Sequence, residues 1–216
     1  IEASLRRIAQ YDYWSDEIRR SVLIDSGADI LLYGNAERAI VEVSHELASG
    51  KTMKDLQHIR GTAVIRNATP AGWTEIDSTR IDWPGRLDEI PNPYEMKDTK
   101  NQTCSTNKDG SEGDSEEGME EHESVVKIVP MPLHRKLDID HATAVIRLPS
   151  FEKVRADSAL YAHASRILHL ESNPQNAHAL IQRHGDKEVW VNQPPIPLET
   201  EEMDAVFALP YQRIAH

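Results

Sequence analysis

The chain has 216 residues, enough for one large domain or two small ones with a buried core. It carries 24 Lys and Arg against 36 Asp and Glu, a net charge of −12, with 39% hydrophobic and only 6% aromatic residues. Residues 109–124 hold eight carboxylates and no Lys or Arg, which leaves −4 on the other 200 residues. That balance gives no basis for nucleic-acid binding through phosphate neutralisation.

Residues 1–97 read as ordered α/β structure. Ser15 is placed as an N-cap, with Asp16 and Glu17 in the first turn of a short helix running into Val22-Leu23-Ile24. Asp29–Tyr33 reads as a buried strand, ended by Gly34-Asn35. A helix follows, with Ala36, Ile40, Val43 and Leu47 as its apolar stripe and Gly50 at the C-cap position. Gly61–Arg66 and Gly72–Asp77 read as two strands, and the Asn67–Ala71 connection predicts that they form a β-hairpin. Trp83-Pro84-Gly85 and Pro91-Asn92-Pro93 give an extended exit.

Residues 98–127 are rich in Thr, Asn, Ser, Gly, Asp and Glu, too polar to offset chain entropy, and are expected to be a disordered acidic loop. Residues 128–216 read as a mostly helical extension. Ser150 caps one short helix, and Asp157 or Ser158 starts another with Leu160, His163, Ala164, Ile167 and Leu168 on one face. Asn173-Pro174 predicts a helix carrying Ala177, Leu180 and Ile181 and stopping at Gly185. Glu188–Val191 reads as a strand, and Gln193–Pro197 as a proline-rich stretch. Thr200 caps a last helix with Met203, Val206 and Phe207 pointing inward.

The chemistry-bearing patterns are sparse. The single cysteine, Cys104, excludes a disulfide framework and any Cys-based zinc or iron–sulfur site held by this chain alone. No apolar run approaches the ~20 residues that cross a bilayer, and no signal-peptide pattern opens the chain. A soluble, cytoplasmic protein without a membrane partner is expected. Ile1 and His216 do not read as natural ends, so a piece of something longer is expected.

Among the ten histidines, His163 and His169, like His178 and His184, are six apart and fall on different helix faces. No metal site is read from them, and a stand-alone metal hydrolase built from histidines is a weak third reading. His163 reads as a core or interface histidine, and His184 as a partner of its helix C-terminus. His134-Arg135-Lys136 is too short a basic patch to suggest nucleic acid. There is no G-x-S-x-G, Cys104 has no fixed activating partner, and no catalytic centre is recognised. The strand–Gly34-Asn35–helix junction is the most informative local geometry, because such turns expose backbone N–H groups that bind phosphates and cofactors.

Longer strings then carry a family resemblance: Ile1–Arg7, Tyr11–Trp14, Ala28–Ala39, Glu75–Arg80, Ile90–Met96 and Leu148–Glu152, with Leu160–Arg166, Glu171–Pro174 and Glu202–Asp204 running to Leu209–Tyr211. The chain resembles the N-terminal region of the YgiQ family of radical S-adenosylmethionine (SAM) proteins, uncharacterised Fe–S oxidoreductases. The resemblance implies a parent with a C-x3-C-x2-C loop binding a [4Fe–4S] cluster that reductively cleaves SAM to a 5′-deoxyadenosyl radical. Cys104 cannot be one of those three cysteines; the resemblance implies that the loop follows this region, so it is expected beyond His216, in a downstream radical SAM domain that is also the expected partner.

The resemblance also implies an incomplete doubly wound, cobalamin-binding-like parallel sheet in residues 1–97. Its G-E-G-E string is similar to Gly34-Asn35-Ala36-Glu37, which keeps Gly34 and Glu37 and departs at Asn35 and Ala36. The D-x-H-x-x-G signature of cobalamin binding is missing, which leaves cobalamin open. Gly34, Asn35, Glu37 and Arg38 are therefore the cofactor-binding candidates, and His163 and Arg166 the substrate-facing ones. The leading reading is an accessory N-terminal fragment of a radical SAM oxidoreductase. The alternative is a non-catalytic interaction module using the acidic loop and the proline-rich stretch.

Overall fold

The computed structural model describes residues 2–85 and 140–210, with side chains from Ser4 onward. The acidic loop, Cys104, the His134–Lys136 patch and the Pro91–Pro93 exit lie outside the described residues. Within them the chain is α/β, built on one six-stranded mixed sheet and a separate two-stranded hairpin.

The opening helix α1 (Glu2–Leu5) leads into the hairpin β1 (Gln10–Asp12) and β2 (Glu17–Arg19). The expected helix from Ser15 is not there, because the Asp12 carboxylate closes the hairpin loop. It accepts from the Trp14 N–H at 3.0 Å and the Ser15 hydroxyl at 2.9 Å, and pairs with Arg19 at 2.6 Å. The cap lies at Ser21, which accepts from the Leu23 N–H and starts α2 (Val22–Ser26).

The strand β3 (Ile30–Leu32) and the helix α3 (Glu37–Ala48) follow where the sequence places them. The buried face of α3 is Ala39 and Val43 against Leu56 and Ile59, while Ile40 and Leu47 are exposed, so the stripe is rotated by one position from expectation. Then come β4 (Thr62–Arg66) and β5 (Thr74–Asp77). In the second half are β6 (Ala144–Arg147), α4 (Phe151–Ala156), α5 (Ser158–Leu170), β7 (Ala179–His184), β8 (Lys187–Val191) and α6 (Thr200–Phe207).

The sheet order is β3-β4-β8-β7-β6-β5. The β3–β4, β4–β8 and β8–β7 pairs are antiparallel, and β7–β6 and β6–β5 are parallel. Three expectations are corrected. The doubly wound parallel sheet in residues 1–97 does not appear, since β3 and β4 run antiparallel. The β4–β5 hairpin is absent because β8, β7 and β6 lie between them. Among its described residues the second half adds to its three helices three of the six strands, so it is part of the sheet rather than an extension beside it.

The helix expected from Pro174 to Gly185 is absent, and its second half, Ala179–His184, is a strand for a physical reason. Ala179, Leu180, Ile181 and Gln182 are all fully buried, and a run covered on both faces suits a central strand rather than a surface helix. Gly185-Asp186 closes a two-residue turn to β8, with Gly185 at φ 63° where the tight hairpin needs a left-handed residue. Gln182 is a fully buried polar link. Its Oε1 accepts from the Ala9 N–H at 2.7 Å and its Nε2 donates to the Pro149 carbonyl at 2.9 Å.

Alternation along the strands sorts the core. Leu31, Ala63, Ile76, Ile146, Leu180 and Val189 face the side covered by α2 and α5, together with Leu23 and Ile167. Val64, Val145, Ile181 and Trp190 face the other side, with Trp73 edge-on to Trp190 at 5.0 Å. Asn192 fastens one end of the sheet. Its Nδ2 donates to the carbonyls of Gln57 and Ile59 and to the Thr62 hydroxyl, and its Oδ1 accepts from the Trp190 indole. The last helix α6 opens on a capping box from Glu199 and Glu202, and Met203 and Phe207 are exposed rather than inward.

His184 ends β7, not a helix, and its ring stacks on Phe151 at 5.4 Å. Neither ring nitrogen has a hydrogen-bond partner, and burial pushes its pKa down to about 4. The unfolded chain therefore binds a proton between about pH 6.5 and 4 that the folded chain refuses. Stability present above pH 6.5 is lost as the pH falls through that window, by roughly 3 kcal/mol from this group. Urea unfolding at pH 5.0 and 7.5 should show about 2 kcal/mol of that loss, the rest coming below pH 5, and His184→Phe should bring the two midpoints closer. Equal pH dependence in the variant would exclude His184 as its source.

Candidate functional site

The two sets of sequence-derived candidates lie at opposite ends of the sheet. Gly34 follows β3, at the end where β4 begins and β8 finishes. His163 meets the residues just beyond β5, at the other end.

At the Gly34 end the contacts are structural. Gly34 has φ 69° and donates its N–H to the Ser4 hydroxyl at 3.1 Å, and a Cβ there would touch Pro195 at 3.4 Å. Gly61 is tighter, with φ 72° and a virtual Cβ 3.1 Å from the same ring. The Arg60 Nε donates to the Pro194 carbonyl at 3.0 Å. Arg38 donates to the carbonyls of Ile196 and Pro197 and forms a bidentate pair with Glu202 of α6, which raises its pKa and lowers that of Glu202. Asn35 is exposed, and one oxygen of Glu37 is buried without a hydrogen-bond partner. The proline-rich stretch is thus built into the domain's own packing.

The His163 end holds a buried polar cluster. The strand β5 stops where the Asp77 carboxylate accepts from the Thr79 N–H at 2.9 Å, opening a 3-10 turn over Ser78–Arg80. The Ser78 carbonyl accepts from the N–H groups of Ile81 and Asp82 at 3.0 and 3.2 Å, which brings Asp82 back beneath Ser78. From the opposite side α5 presents His163 and, one turn later, Arg166.

The His163 Nε2 lies 2.9 Å from the Ser78 hydroxyl, and its Nδ1 lies 3.7 Å from the Asp82 Oδ2, which is also 3.5 Å from the Arg166 Nε. Ser78 and His163 are each 2% exposed and Asp82 is 8% exposed. Burial lowers the His163 pKa against the opposing pull of Asp82, so the ring is neutral at pH 7. A neutral ring with its proton on Nδ1, toward Asp82, leaves Nε2 to accept from Ser78.

Ser78 lines a cavity of about 390 Å³ at the carboxyl ends of the parallel strands β5 and β6, where α/β sheets place their ligands. Its wall includes Thr79, Pro149, Ser150, Lys153 and Arg183. Arg147, also on the wall, is held between Glu75 and Glu188, and these carboxylates raise its pKa. Lys153 and Arg183 form no salt bridge among the described residues; they act only through their field, Lys153 on Asp77 and Arg183 on Glu152. The sequence points to His163 and Arg166, and the structure brings both onto Asp82. Ser78 and Asp82 come from a segment about 80 residues earlier; Ser78 lies in the Glu75–Arg80 family string, and the Asp77–Thr79 turn is the local signal that could have drawn attention to it.

The chain does not fit an iron–sulfur cluster. Such a cluster open to SAM needs three thiolates, and the sequence has Cys104 alone. Among the described residues no group of three His, Cys, Asp or Glu could hold a metal ion. No described helix is long and apolar enough to cross a membrane.

Arg38→Ala should release α6 from the body with little change in global stability, because the pair is exposed to solvent. Hydrogen exchange should quicken over residues 200–207 and stay unchanged in β7 and β8. Unchanged exchange in α6 would show that the clamp holds nothing.

Comparison with known proteins agrees with the sequence strings. The family described as Radical SAM N-terminal matches residues 1–216. A UPF0313 protein of Pseudomonas putida is 56% identical over the whole chain, which covers 27% of that protein. The UPF0313 protein of Pseudomonas aeruginosa is 54% identical, with 28% of its length covered, and the UPF0313 protein YgiQ of Salmonella typhimurium is 50% identical, again with 28% covered. The chain thus spans about a quarter of the length of these relatives, and no solved structure matches it. With the family matched from first residue to last, the chain belongs to the radical SAM N-terminal family.

Proposed function

We propose that this chain is the accessory N-terminal domain of a cytoplasmic radical SAM Fe–S oxidoreductase, with the [4Fe–4S] cluster and SAM held by residues outside it. The carrying observation is the family match over all 216 residues in a chain with one cysteine. The cluster chemistry cannot be its own contribution, so its part is to bind and shape. The cavity at the β5 and β6 ends supports that role, with His163 and Arg166 fixed behind it by Asp82. The partner in this reading is the remainder of the same protein.

The full-length protein, reconstituted anaerobically with iron and sulfide and supplied with a reductant and SAM, should release 5′-deoxyadenosine. Folded, reconstituted protein that binds no cluster and forms no 5′-deoxyadenosine would overturn the proposal.

A further inference from the structure

We propose that Ser78, His163 and Asp82 form a serine-nucleophile triad, and that the cavity beside them takes an ester of a small acid bearing a second anionic group. The site is carried wholly by described residues.

The geometry has the three required relations. The Ser78 Oγ is within hydrogen-bond reach of His163 Nε2 at 2.9 Å. The other ring nitrogen faces a carboxylate, Asp82 Oδ2, at 3.7 Å, and ligand-free catalytic contacts of this kind are commonly long. The nucleophile sits on the turn directly after a parallel strand, at the cavity, with the order Ser, Asp, His along the chain.

Asp82 Oδ2 and His163 Nδ1 are both buried and face each other at 3.7 Å, with the carboxylate charge balanced by Arg166 Nε at 3.5 Å. A neutral imidazole held between a carboxylate and a serine hydroxyl is the state a general base requires. The wall carries Arg147, Lys153 and Arg183 against Asp77 and Glu188, a positive balance that favours an anionic substituent.

The step balances without a redox partner. Ser78 Oγ attacks the ester carbonyl as its proton passes to His163 Nε2. The C–O bond to the leaving alcohol breaks and takes that proton. Water then attacks the acyl-serine, giving its proton to His163 and restoring Ser78, so ester and water become acid and alcohol. Asp82 is a positioning residue, holding the Nδ1–H tautomer.

The test treats the folded full-length protein with a fluorophosphonate probe at pH 8 and maps the adduct by peptide mass spectrometry. A single phosphonyl group on Ser78 is expected, absent in Ser78→Ala and formed about 100-fold more slowly in His163→Gln. The pH midpoint of labelling is set by His163 among Asp77, Asp82 and Arg166, the charged groups that act on it. It should move down in Asp82→Asn, because a negative charge that raises the His163 pKa is removed. The p-nitrophenyl monoester of succinate should be cleaved in preference to p-nitrophenyl acetate. Unlabelled Ser78 in folded wild-type protein would overturn the proposal. Labelling that persists unchanged in Ser78→Ala would overturn it equally.

Discussion

The strand β8 is the constraint on which the rest of this domain depends. It lies between β4 and β7 and pairs antiparallel with both, so residues 63–66 and 180–184 are bridged by residues 187–191. Without it, the β3–β4 pair and the β5–β6–β7 trio would be two small sheets, each with an exposed hydrogen-bonding edge. Its side chains anchor both layers, Val189 and Val191 toward the α5 face and Trp190 toward the other. Arg66 lies over the Trp190 ring at 4.5 Å, and Asn192, just past the strand, ties the ladder to the segment before β4. Long-range pairing of this kind is entropically costly and is held by burial rather than by local propensity.

That sheet separates rigidity from opportunity. At the end where β3 finishes, Gly34, Gly61, Arg60 and Arg38 are all engaged with the 194–197 stretch or α6. Their polar groups serve packing. At the opposite end, the parallel strands β5 and β6 run out into a cavity, and the turn after β5 meets His163 of α5. The mixed sheet has parallel pairing only there, among the described residues, and that is where an α/β architecture leaves strand ends free for a ligand.

Much of this was readable where a segment's own residues decide its state. The helix α3 follows from its apolar spacing and Gly50, α5 from the Asp157 cap and the Ala164–Ile167 face, and β8 from its β-branched and aromatic run. Most of the failures have a tertiary cause. Ala179–His184 has helix-tolerant residues, yet burial on both faces makes it a strand; the Gly185-Asp186 turn was the signal that could have shown it. The strands β4 and β5 are neighbours in sequence, and partners from the second half come between them. The hairpin β1–β2 depends on one carboxylate, Asp12, whose loop contacts look like helix-start residues in the string alone. For the site, His163 and Arg166 could be read from a helix face, but their meeting with Ser78 and Asp82 is tertiary and has no local pattern.

The claim most open to direct attack is that both halves of the chain form one cooperative sheet through β8. Native-state hydrogen exchange on the full-length protein measures this strand by strand as the free energy of the opening that exposes each amide. The slowest amides of β4, β7 and β8 should share one opening free energy and one dependence on denaturant. Amides of β4 that open at a clearly lower free energy than those of β7, with their own denaturant slope, would contradict the account.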